Sequence, residues 1–247
     1  MKILAIDTSG QHASAAIVNE YITIGEMALN ARTGEKMWTH SEILMTGIDQ
    51  LFKLTRLEPE AIDYIAYTCG PGSFTGLRIG ASTALGMAKA LNIKTIPVPT
   101  LDGLAYNTAY MGGAALIVPL LDARRGQVYG AVYMRDLIKG HIGHGSEPMA
   151  MAIEDFIQYL YTHCQSSTLD DGLNLFFIGD GATANTNELL KAFPRAFIAP
   201  LHNNHVRAAS VGLCALEKIK KGHDFSDPVD MIYVRAPQAV REKAKQQ

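Results

Sequence analysis

Apolar positions in the first part of the chain follow two different spacings, which predict strands and helices. Three short apolar runs at Lys2–Asp7, Ala13–Val18 and Tyr21–Leu29 are joined by polar turns and predict a three-stranded meander. Within Thr39–Leu54, apolar residues recur three and four positions apart, which is the spacing of one helical face. A β-branched run at Ile62–Thr68 predicts a further strand, which leads into a glycine-rich turn.

A helix at Thr75–Leu91 and a strand at Lys94–Val98 complete a predicted βββαβαβ unit, and this order of elements then recurs. The second half contains strand and helix patterns at Ala114–Leu121, Gln127–Met134, Ile153–His163, Leu175–Ile178, Asn185–Phe193, Ala196–Ile198 and Val206–Lys220. Internal duplication is the simplest explanation of a repeated order. We therefore predict an N-terminal lobe at 1–106, a degenerate C-terminal lobe at 107–222 and a C-terminal segment at 223–247. Packing of that segment back onto the first lobe stays open.

Duplicated lobes that each begin with a strand, a carboxylate and a hairpin are typical of the α/β fold of actin-like, Hsp70-like and sugar-kinase proteins. In that fold each lobe is a mixed sheet flanked by helices, and ATP binds between the lobes with acidic residues holding Mg²⁺. Asp7, Asp122 and Asp180 each follow a predicted strand, where such acidic residues would lie. Aspartates at strand ends also cap turns and helices, and that structural role explains all three equally well.

Composition narrows the choice of environment and partner. The chain of 247 residues is 48% hydrophobic and 19% charged, which suits one large domain or two lobes with buried cores. A formal net charge of −2 gives no electrostatic basis for binding nucleic acid unaided. The three cysteines lie far apart and suit reduced thiols, and neither a signal peptide nor a membrane span is expected. These features predict a cytoplasmic protein.

The segment Cys69–Gly80 carries the most specific pattern in the chain. Its Gly-Pro-Gly turn joins a strand to a helix that Ser73 or Thr75 would cap, and N–H groups at such a turn commonly face an anion. A Walker A loop is excluded because no lysine follows Gly76. A dinucleotide fingerprint is excluded because Thr75 occupies the third glycine position.

Small residues recur at every fourth position of the predicted helix, at Gly76, Gly80, Ala84 and Ala88. Residues four apart lie on one face, so this face is nearly flat backbone. Glycine in a helix costs about 0.5–1 kcal/mol relative to alanine, so close approach of another element is the expected compensation. We predict that this groove docks a helix of a partner protein, as small-xxx-small faces do. The alternative is that it packs against the chain's own core.

Two sets of residues complete the site prediction. The partner interface is predicted to comprise the groove, its flanks and part of the first helix: Gly76, Ile79, Gly80, Thr83, Ala84, Met87, His40, Leu44 and Ile48. If a nucleotide or another anion binds, we predict that it contacts Asp7, Thr8, Ser9 and Arg78. For Arg78 a structural salt bridge and a contact with a partner both stay open as alternatives. No residue is assigned a catalytic role, because Ser73 lacks the Gly-x-Ser-x-Gly setting of a hydrolase nucleophile.

Five segments in chain order resemble motifs of the bacterial TsaB (YeaZ) family: Ile3–Ser9, His40–Leu44, Cys69–Gly80, Asp122–Tyr129 and Ile232–Arg235. The stretch Gly-Pro-Gly-Ser-Phe-Thr-Gly-Leu-Arg within the third segment is highly specific, whereas the other motifs are individually weak. The resemblance implies a role in forming N6-threonylcarbamoyladenosine beside the anticodon of tRNAs that read codons beginning with A. It also implies that the chain is a non-catalytic subunit that binds and supports a TsaD-type transferase.

The resemblance implies a division of labour among several proteins. A TsaD-type paralogue transfers the threonylcarbamoyl group and a TsaE-type ATPase joins the complex, so this chain would meet tRNA only indirectly. Purified alone, the chain is expected to form a homodimer through its exposed apolar patch. No cofactor is assigned, and ATP or ADP at a subunit interface is left open.

Histidine spacing bears on metal binding. TsaD-type proteins hold a metal with a His-x-x-x-His pair, but at the matching place His40 is followed by Leu44, so the second ligand is missing. Two other pairs, each three residues apart in polar or glycine-rich turns, are predicted to be surface histidines: His141/His144 and His202/His205. The sequence therefore predicts no metal site.

Two other functions remain as alternatives. An independent ATPase or sugar kinase would explain Asp7 and the duplicated layout, and ATP turnover by the pure protein would identify it. A peptidase, an old label for this wider family, would cleave a protein substrate in a chelator-sensitive manner. The sequence offers that reaction neither a metal pair nor a nucleophile elbow.

Overall fold

The computed structural model describes residues 1–30, 39–109, 115–135, 142–163, 174–223, 225, 231–232 and 234. The chain forms two compact units. The first unit comprises Met1–Tyr106 together with Val206–Ile232, and the second is built from Asn107–His205. The chain therefore leaves the first unit, builds the second and then returns to the first.

Strands and helices are numbered in chain order. The strands are β1 (Lys2–Asp7), β2 (His12–Asn19), β3 (Thr23–Asn30), β4 (Tyr64–Thr68), β5 (Lys94–Val98), β6 (Ala115–Arg124), β7 (Gln127–Gly130), β8 (Tyr133–Arg135), β9 (Ile142–His144), β10 (Met149–Ala152), β11 (Asn174–Ile178) and β12 (Phe197–Ile198). The helices are α1 (His40–Thr55), α2 (Phe74–Leu91), α3 (Thr100–Ala105), α4 (Ile153–His163), α5 (Asp180–Ala184), α6 (Thr186–Ala192) and α7 (Ala208–Lys220).

The first unit is built on a five-stranded sheet in the order β3-β2-β1-β4-β5. β1, β2 and β3 form an antiparallel meander, whereas β1 pairs with β4 and β4 pairs with β5 in parallel. Leu4 and Ile6 of β1 join a core cluster with residues of α1 and α2. On the other face, Ala5 lies against α7. Helices on both faces are what a buried parallel core requires.

The second unit repeats this topology. Its seven-stranded sheet runs β10-β7-β6-β11-β12, with β8 and β9 attached beside β6. The pairs β6–β7 and β7–β10 are antiparallel, and the pairs β6–β11 and β11–β12 are parallel, which is the succession found in the first unit. The duplication and the predicted fold class, an actin-like α/β fold with a mixed sheet and flanking helices in each lobe, are confirmed.

The last helix departs from the predicted division into lobes. The sequence pattern places it in the lobe 107–222, whereas the structure packs α7 against β1 and β2 of the first unit. Gly212 permits this approach, because a Cβ atom there would lie 2.5 Å from Val18 Cγ2. Just before α7, Arg207 forms an ion pair with Glu26 of β3. Periodicity reveals the helix but not the sheet that it covers.

The predicted strand Gln127–Met134 is divided into β7 and β8. β7 pairs with the outer half of β6, and β8 pairs with Leu116 and Ile117 nearer its start. The break follows Gly130, where a Cβ atom would lie 2.6 Å from Phe156 Cε2, so the aromatic ring packs directly on the strand backbone. Apolar alternation continues through the break and does not reveal it.

Candidate functional site

The glycine-rich turn brings the ends of two parallel strands to the start of α2. β1 ends at Asp7 and β4 ends at Thr68, and the turn Gly70–Gly72 leads from β4 to Ser73, the N-cap of α2. The carboxyl ends of parallel strands are where α/β proteins commonly bind ligands. Asp7, the two residues after it and the turn therefore form the first candidate site.

Asp7 is a buried carboxyl group. The residue is 2% exposed, and its Oδ1 accepts hydrogen bonds from Ser9 N at 3.1 Å, Ser9 Oγ at 2.6 Å and Thr68 Oγ1 at 2.8 Å. Burial raises the pKa of Asp7 from 3.8 to about 6, and the hydrogen bonds and the nearby His40 oppose part of that rise. This carboxyl group therefore titrates much closer to neutral pH than an exposed aspartate.

Several hydrogen-bond donors near Asp7 are already engaged within the unit. Ser9 gives both its N–H and its hydroxyl to Asp7, Thr8 Oγ1 donates to Gly76 O at 2.7 Å, and Ser73 N–H donates to Ser9 O at 2.7 Å. A phosphate group needs several N–H or hydroxyl donors that are free to face it. The hydroxyl groups of Thr8 and Ser9 are therefore not free to bind a phosphate. An anion contact at Asp7, Thr8 and Ser9 stays a prediction.

Two glycines let other backbone segments approach the turn. Gly70 has a φ of 114°, and a Cβ atom there would overlap Ile232 O. A Cβ atom on Gly72 would lie 2.5 Å from Ser9 O. Ile232 N–H also donates to Cys69 O at 2.7 Å, so Ile232 contacts the first unit at this turn.

The small-residue face of α2 is internal. Gly76, Gly80, Ala84 and Ala88 are all buried in the first unit. A Cβ atom on Gly76 would overlap Thr8 O, and one on Gly80 would overlap Thr8 Oγ1. These residues therefore let the helix backbone approach the end of β1. Their assignment to a partner interface is corrected, because the packing weighed as the alternative is the one observed.

The outer face of α2 is the accessible part of the predicted interface. A shallow depression on this face is lined by Phe74, Thr75, Arg78, Ile79, Ser82 and Thr83. Ile79, Thr83 and Met87 are half-buried, and Ile79 and Met87 pack against the core cluster to which α1 contributes. Phe74 is 38% exposed and Leu85 is 44% exposed, so apolar surface continues beside the depression.

Arg78 lies on this outer face and not beside Asp7. Its guanidinium stacks on the Phe74 ring, 3.8 Å from the ring centroid, in a cation–π contact rather than the salt bridge weighed from the sequence. Residues two apart on a helix point about 200° apart, so Arg78 faces away from the direction in which Gly76 meets β1. The structure brings the three residues at the end of β1 together and leaves Arg78 apart.

The three predicted interface residues of α1 lie in two different environments, the core and the start of the helix. Leu44 and Ile48 are 1% and 2% exposed and belong to the core, which corrects their assignment to an interface. His40 is the first residue of α1, and its Nε2 lies 2.9 Å from Gly10 O. The histidine therefore lies at the start of the helix and bonds the backbone of the first hairpin. An exposed apolar residue on this helix is Met45, at 49%.

Of the two residues predicted to cap the start of α2, only one does so. Ser73 Oγ accepts a hydrogen bond from Gly76 N at 3.2 Å, as an N-cap side chain does. Thr75 lies inside the first turn of the helix and is exposed. The serine alone therefore caps this helix.

In the second unit two aspartates meet near the hairpin between β6 and β7. Asp122 lies within β6, and its N–H donates to Asp180 Oδ1 at 2.9 Å. Asp122 Oδ1 accepts from Arg124 N at 2.8 Å, and its Oδ2 pairs with Arg124 Nη1 at 3.2 Å. Burial raises the pKa of Asp180. Both carboxyl groups support turns, which is the structural role weighed for them from the sequence.

The remaining histidine pairs lie only partly within the described structure. His202 is exposed and His205 is half-buried, whereas His141 and the side chain of His144 lie outside the described residues. In the described part of the chain, no group of three or more His, Cys, Asp or Glu side chains is placed to hold a metal ion. None of the described helices is both long enough and apolar enough to cross a membrane.

An ion pair between a buried carboxylate and a half-buried lysine in the first unit is not indicated by any of the motifs. Asp102 is 3% exposed, and its Oδ2 lies 3.6 Å from Lys218 Nζ, so the pair joins α3 to α7. Burial raises the pKa of the neighbouring Cys69 thiol to about 12 and also raises that of Cys214, and protonated buried thiols are unreactive. The sequence does contain a sign of a buried charge, because Asp102 interrupts the apolar run Leu101–Ala105.

Two units with matching mixed sheets define a class, the duplicated α/β proteins of actin-like topology. In this chain, the hydroxyl groups beside the buried Asp7 form hydrogen bonds within the first unit. A model of the family described as TsaD, tRNA N6-adenosine threonylcarbamoyltransferase, matches residues 36–238. The match covers well over half of the chain, and the chain therefore belongs to this family.

The curated relatives carry a more specific name. A protein of Escherichia coli is 34% identical over 151 residues, which are 61% of this chain and 62% of the relative. A protein of Bacillus subtilis is 37% identical over 133 residues, which are 54% of this chain and 55% of the relative. Both are named tRNA threonylcarbamoyladenosine biosynthesis protein TsaB. The chain thus spans less than two thirds of the length of each relative. These matches confirm the resemblance to the TsaB family that the sequence motifs indicated.

Solved structures agree on the fold. An uncharacterized protein from Pseudomonas aeruginosa, described as similar to peptidase YEAZ, superposes with a TM-score of 0.71 at 21% identity and covers 95% of this chain and 99% of its own. YeaZ from Pseudomonas aeruginosa superposes with a TM-score of 0.68 at 22% identity, covering 90% and 93%. At these identities the likeness shows the fold alone.

Proposed function

We propose that this chain takes part in forming N6-threonylcarbamoyladenosine beside the anticodon of tRNAs that read codons beginning with A. Its proposed role is that of a non-catalytic subunit that binds and supports a TsaD-type transferase. The observation that carries the role is the start of α1, where His40 Nε2 meets Gly10 O and the position one turn later is the buried Leu44. The names of the curated relatives support the pathway.

The geometry supports a subunit without chemistry of its own. Metal-assisted transfer needs several ligands and an open coordination position, which one imidazole does not provide. Asp7 is buried and its neighbouring donors are engaged, so it has little access to a substrate. Neither of the two cysteines that the structure describes is an activated thiol, because burial raises the pKa values of Cys69 and Cys214.

The proposed docking surface is the outer face of α2 with the exposed part of the neighbouring α1. It combines the exposed apolar side chains Phe74, Leu85 and Met45 with the half-buried Ile79 and Thr83. An exposed apolar cluster of this kind is typical of a protein-binding surface. In the absence of the transferase, the same surface would pair two copies of the chain into a homodimer.

The remaining partners follow from the same role. A TsaE-type ATPase and the tRNA would reach this chain through the transferase, in the cytoplasm where tRNA is modified. ATP or ADP at the junction with the transferase would take its phosphate contacts mainly from the partner, since Thr8 and Ser9 use their donors internally.

Reconstitution tests this proposal. Threonylcarbamoyladenosine, measured by mass spectrometry of tRNA nucleosides, is expected when the chain is combined with unmodified tRNA, the transferase, the ATPase and threonylcarbamoyl-adenylate. The chain alone should show no turnover approaching about 1 s⁻¹, a rate ordinary for enzymes. Turnover by the pure chain would overturn the non-catalytic assignment. Full activity of the transferase without the chain would overturn the supporting role.

A further inference from the structure

The hairpin between β6 and β7 has a backbone conformation that its sequence does not favour. Arg124, Arg125 and Gly126 are consecutive residues with φ values of 66°, 57° and 70°. The left-handed region is disfavoured for residues that carry a Cβ atom, and asparagine or glycine usually occupies it in tight hairpins. Two successive arginines at such positions therefore call for a reason other than turn formation.

The base of the hairpin holds this conformation in place. Asp180 Oδ1 accepts a hydrogen bond from Asp122 N–H, and Asp122 Oδ1 accepts one from Arg124 N–H at 2.8 Å. These bonds fix the backbone immediately before the tip. The arginines are therefore presented from a rigid base, which limits the ordering required when a ligand binds.

The tip is cationic and has no apolar anchor. Arg124, Arg125 and Gly126 are all exposed. Asp122 pairs with Nη1 of the Arg124 guanidinium, and no partner for the Arg125 side chain is found among the residues that the structure describes. Protein interfaces are centred on buried aromatic and apolar anchors, whereas exposed arginines are the usual contacts to nucleic-acid phosphates.

We propose that this hairpin contacts the phosphodiester backbone of RNA. A guanidinium presents a planar fork of N–H donors that matches two phosphate oxygens. The inference rests on the proposed function for the source of the RNA and revises one part of it, because the chain would then contact tRNA directly and not only through the transferase. Phosphate contacts position a nucleic acid without reading its sequence. A chain of net charge −2 would use such a contact to orient tRNA within the complex.

Asparagine substitutions separate this role from a structural one. Arg124→Asn with Arg125→Asn removes both guanidiniums while placing a residue suited to left-handed backbone at each position. Arg56→Asn is the matched control, because Arg56 is also exposed and has a φ of 55° at the end of α1. The affinity for labelled tRNA is measured against salt concentration, with the full chain alone and with the chain assembled with its transferase and ATPase.

The hairpin double variant should bind tRNA several-fold more weakly. Its plot of log K against log salt should flatten by about 1 to 2, because each lost phosphate contact contributes about 0.7–0.9 to the slope. Its melting temperature should be unchanged or higher, and Arg56→Asn should alter neither affinity nor slope. The charge-retaining variant Arg124→Lys with Arg125→Lys should keep most of the salt dependence.

Several results would overturn the inference. One is an unchanged affinity and slope in the asparagine variant, and another is a lysine variant that loses as much as the asparagine variant. Absence of tRNA binding by the unmodified chain in both settings would also overturn it. So would loss of transferase binding at unchanged tRNA affinity, since the hairpin would then be a protein contact. RNA binding is read without turnover, so its failure is distinct from failure to form threonylcarbamoyladenosine.

Discussion

Asp7 is subject to two opposing influences at the end of β1. Three hydrogen bonds favour its ionised form, but burial has the larger effect and raises its pKa to about 6. Because this pKa lies above the unfolded value of 3.8, the folded protein holds the proton more tightly than the unfolded chain. The stabilisation from protonated Asp7 is complete below about pH 4 and is lost as the pH rises through 6.

Asp7→Asn should remove this pH dependence, because an amide keeps an acceptor oxygen for Ser9 and Thr68 and carries no charge. Relative to the wild type, the free energy of unfolding of the variant should rise by on the order of 3 kcal/mol between pH 4 and pH 7. Urea denaturation at both pH values measures the difference. The exposed Asp155→Asn is the control and should follow the wild type. Parallel profiles for Asp7→Asn and the wild type would contradict the argument.

At the scale of the element, α2 shows how far a sequence pattern can be interpreted. The pattern predicted its start, its length and the small face that recurs every fourth residue. The pattern did not identify which element that face contacts, because a strand end and a partner helix can each approach closely only where the side chains are small. Thr8 lies far from α2 in sequence, so its overlap with any side chain at Gly80 is visible only in the fold.

Two glycines of α2 provide a matched pair of substitutions. Gly80→Ala would push a methyl group against Thr8 Oγ1, which is buried and bonded to Gly76 O, so it should lower the free energy of unfolding by about 1–3 kcal/mol. Gly86 is exposed with open space around it, so Gly86→Ala should raise that energy by about 0.5–1 kcal/mol. Chemical denaturation of both variants checks the opposite signs. A neutral Gly80→Ala would show that the helix does not closely approach β1.

The outer face of the same helix allows a test of partner binding. Ser82 is exposed and lines the depression, so Ser82→Arg should weaken association with the transferase by tenfold or more, about 1.4 kcal/mol. Ala90 is exposed in the last turn of α2 and serves as the control for the same added charge. Affinity is measured by calorimetry, and sedimentation of each variant alone reports on the homodimer. Equal binding by both variants would place the interface elsewhere.

At the scale of the whole molecule, the first unit is discontinuous in sequence. α7 follows the entire second unit, yet it covers the face of β1 and β2 opposite α1 and α2. The duplication was predictable because apolar patterns repeat in order. The return of α7 was not, because its position depends on contacts such as Gly212 with Val18, which are distant in sequence.

The points where the chain leaves and re-enters the first unit are tied together. Asn107 Nδ2 donates to Asn203 O at 2.9 Å and to His205 O at 2.8 Å. A variant in which residues 107–205 are replaced by a short glycine-serine linker should therefore fold, whereas a fragment ending at Tyr106 should not, because it leaves one sheet face bare. Circular dichroism and thermal melting compare the two. A cooperatively folded 1–106 fragment would contradict the structural role given to α7.

The late position of α7 has a consequence for synthesis on the ribosome. About 100 residues separate Tyr106 from Val206, and at ordinary translation rates they take roughly 5–20 s to make. During that interval the sheet made first keeps an apolar surface uncovered. The second unit, in contrast, has its described strands as soon as β12 is made. The earliest part of the nascent protein is thus the last to be completed, and its exposure to aggregation is set by elongation speed rather than by its own folding rate.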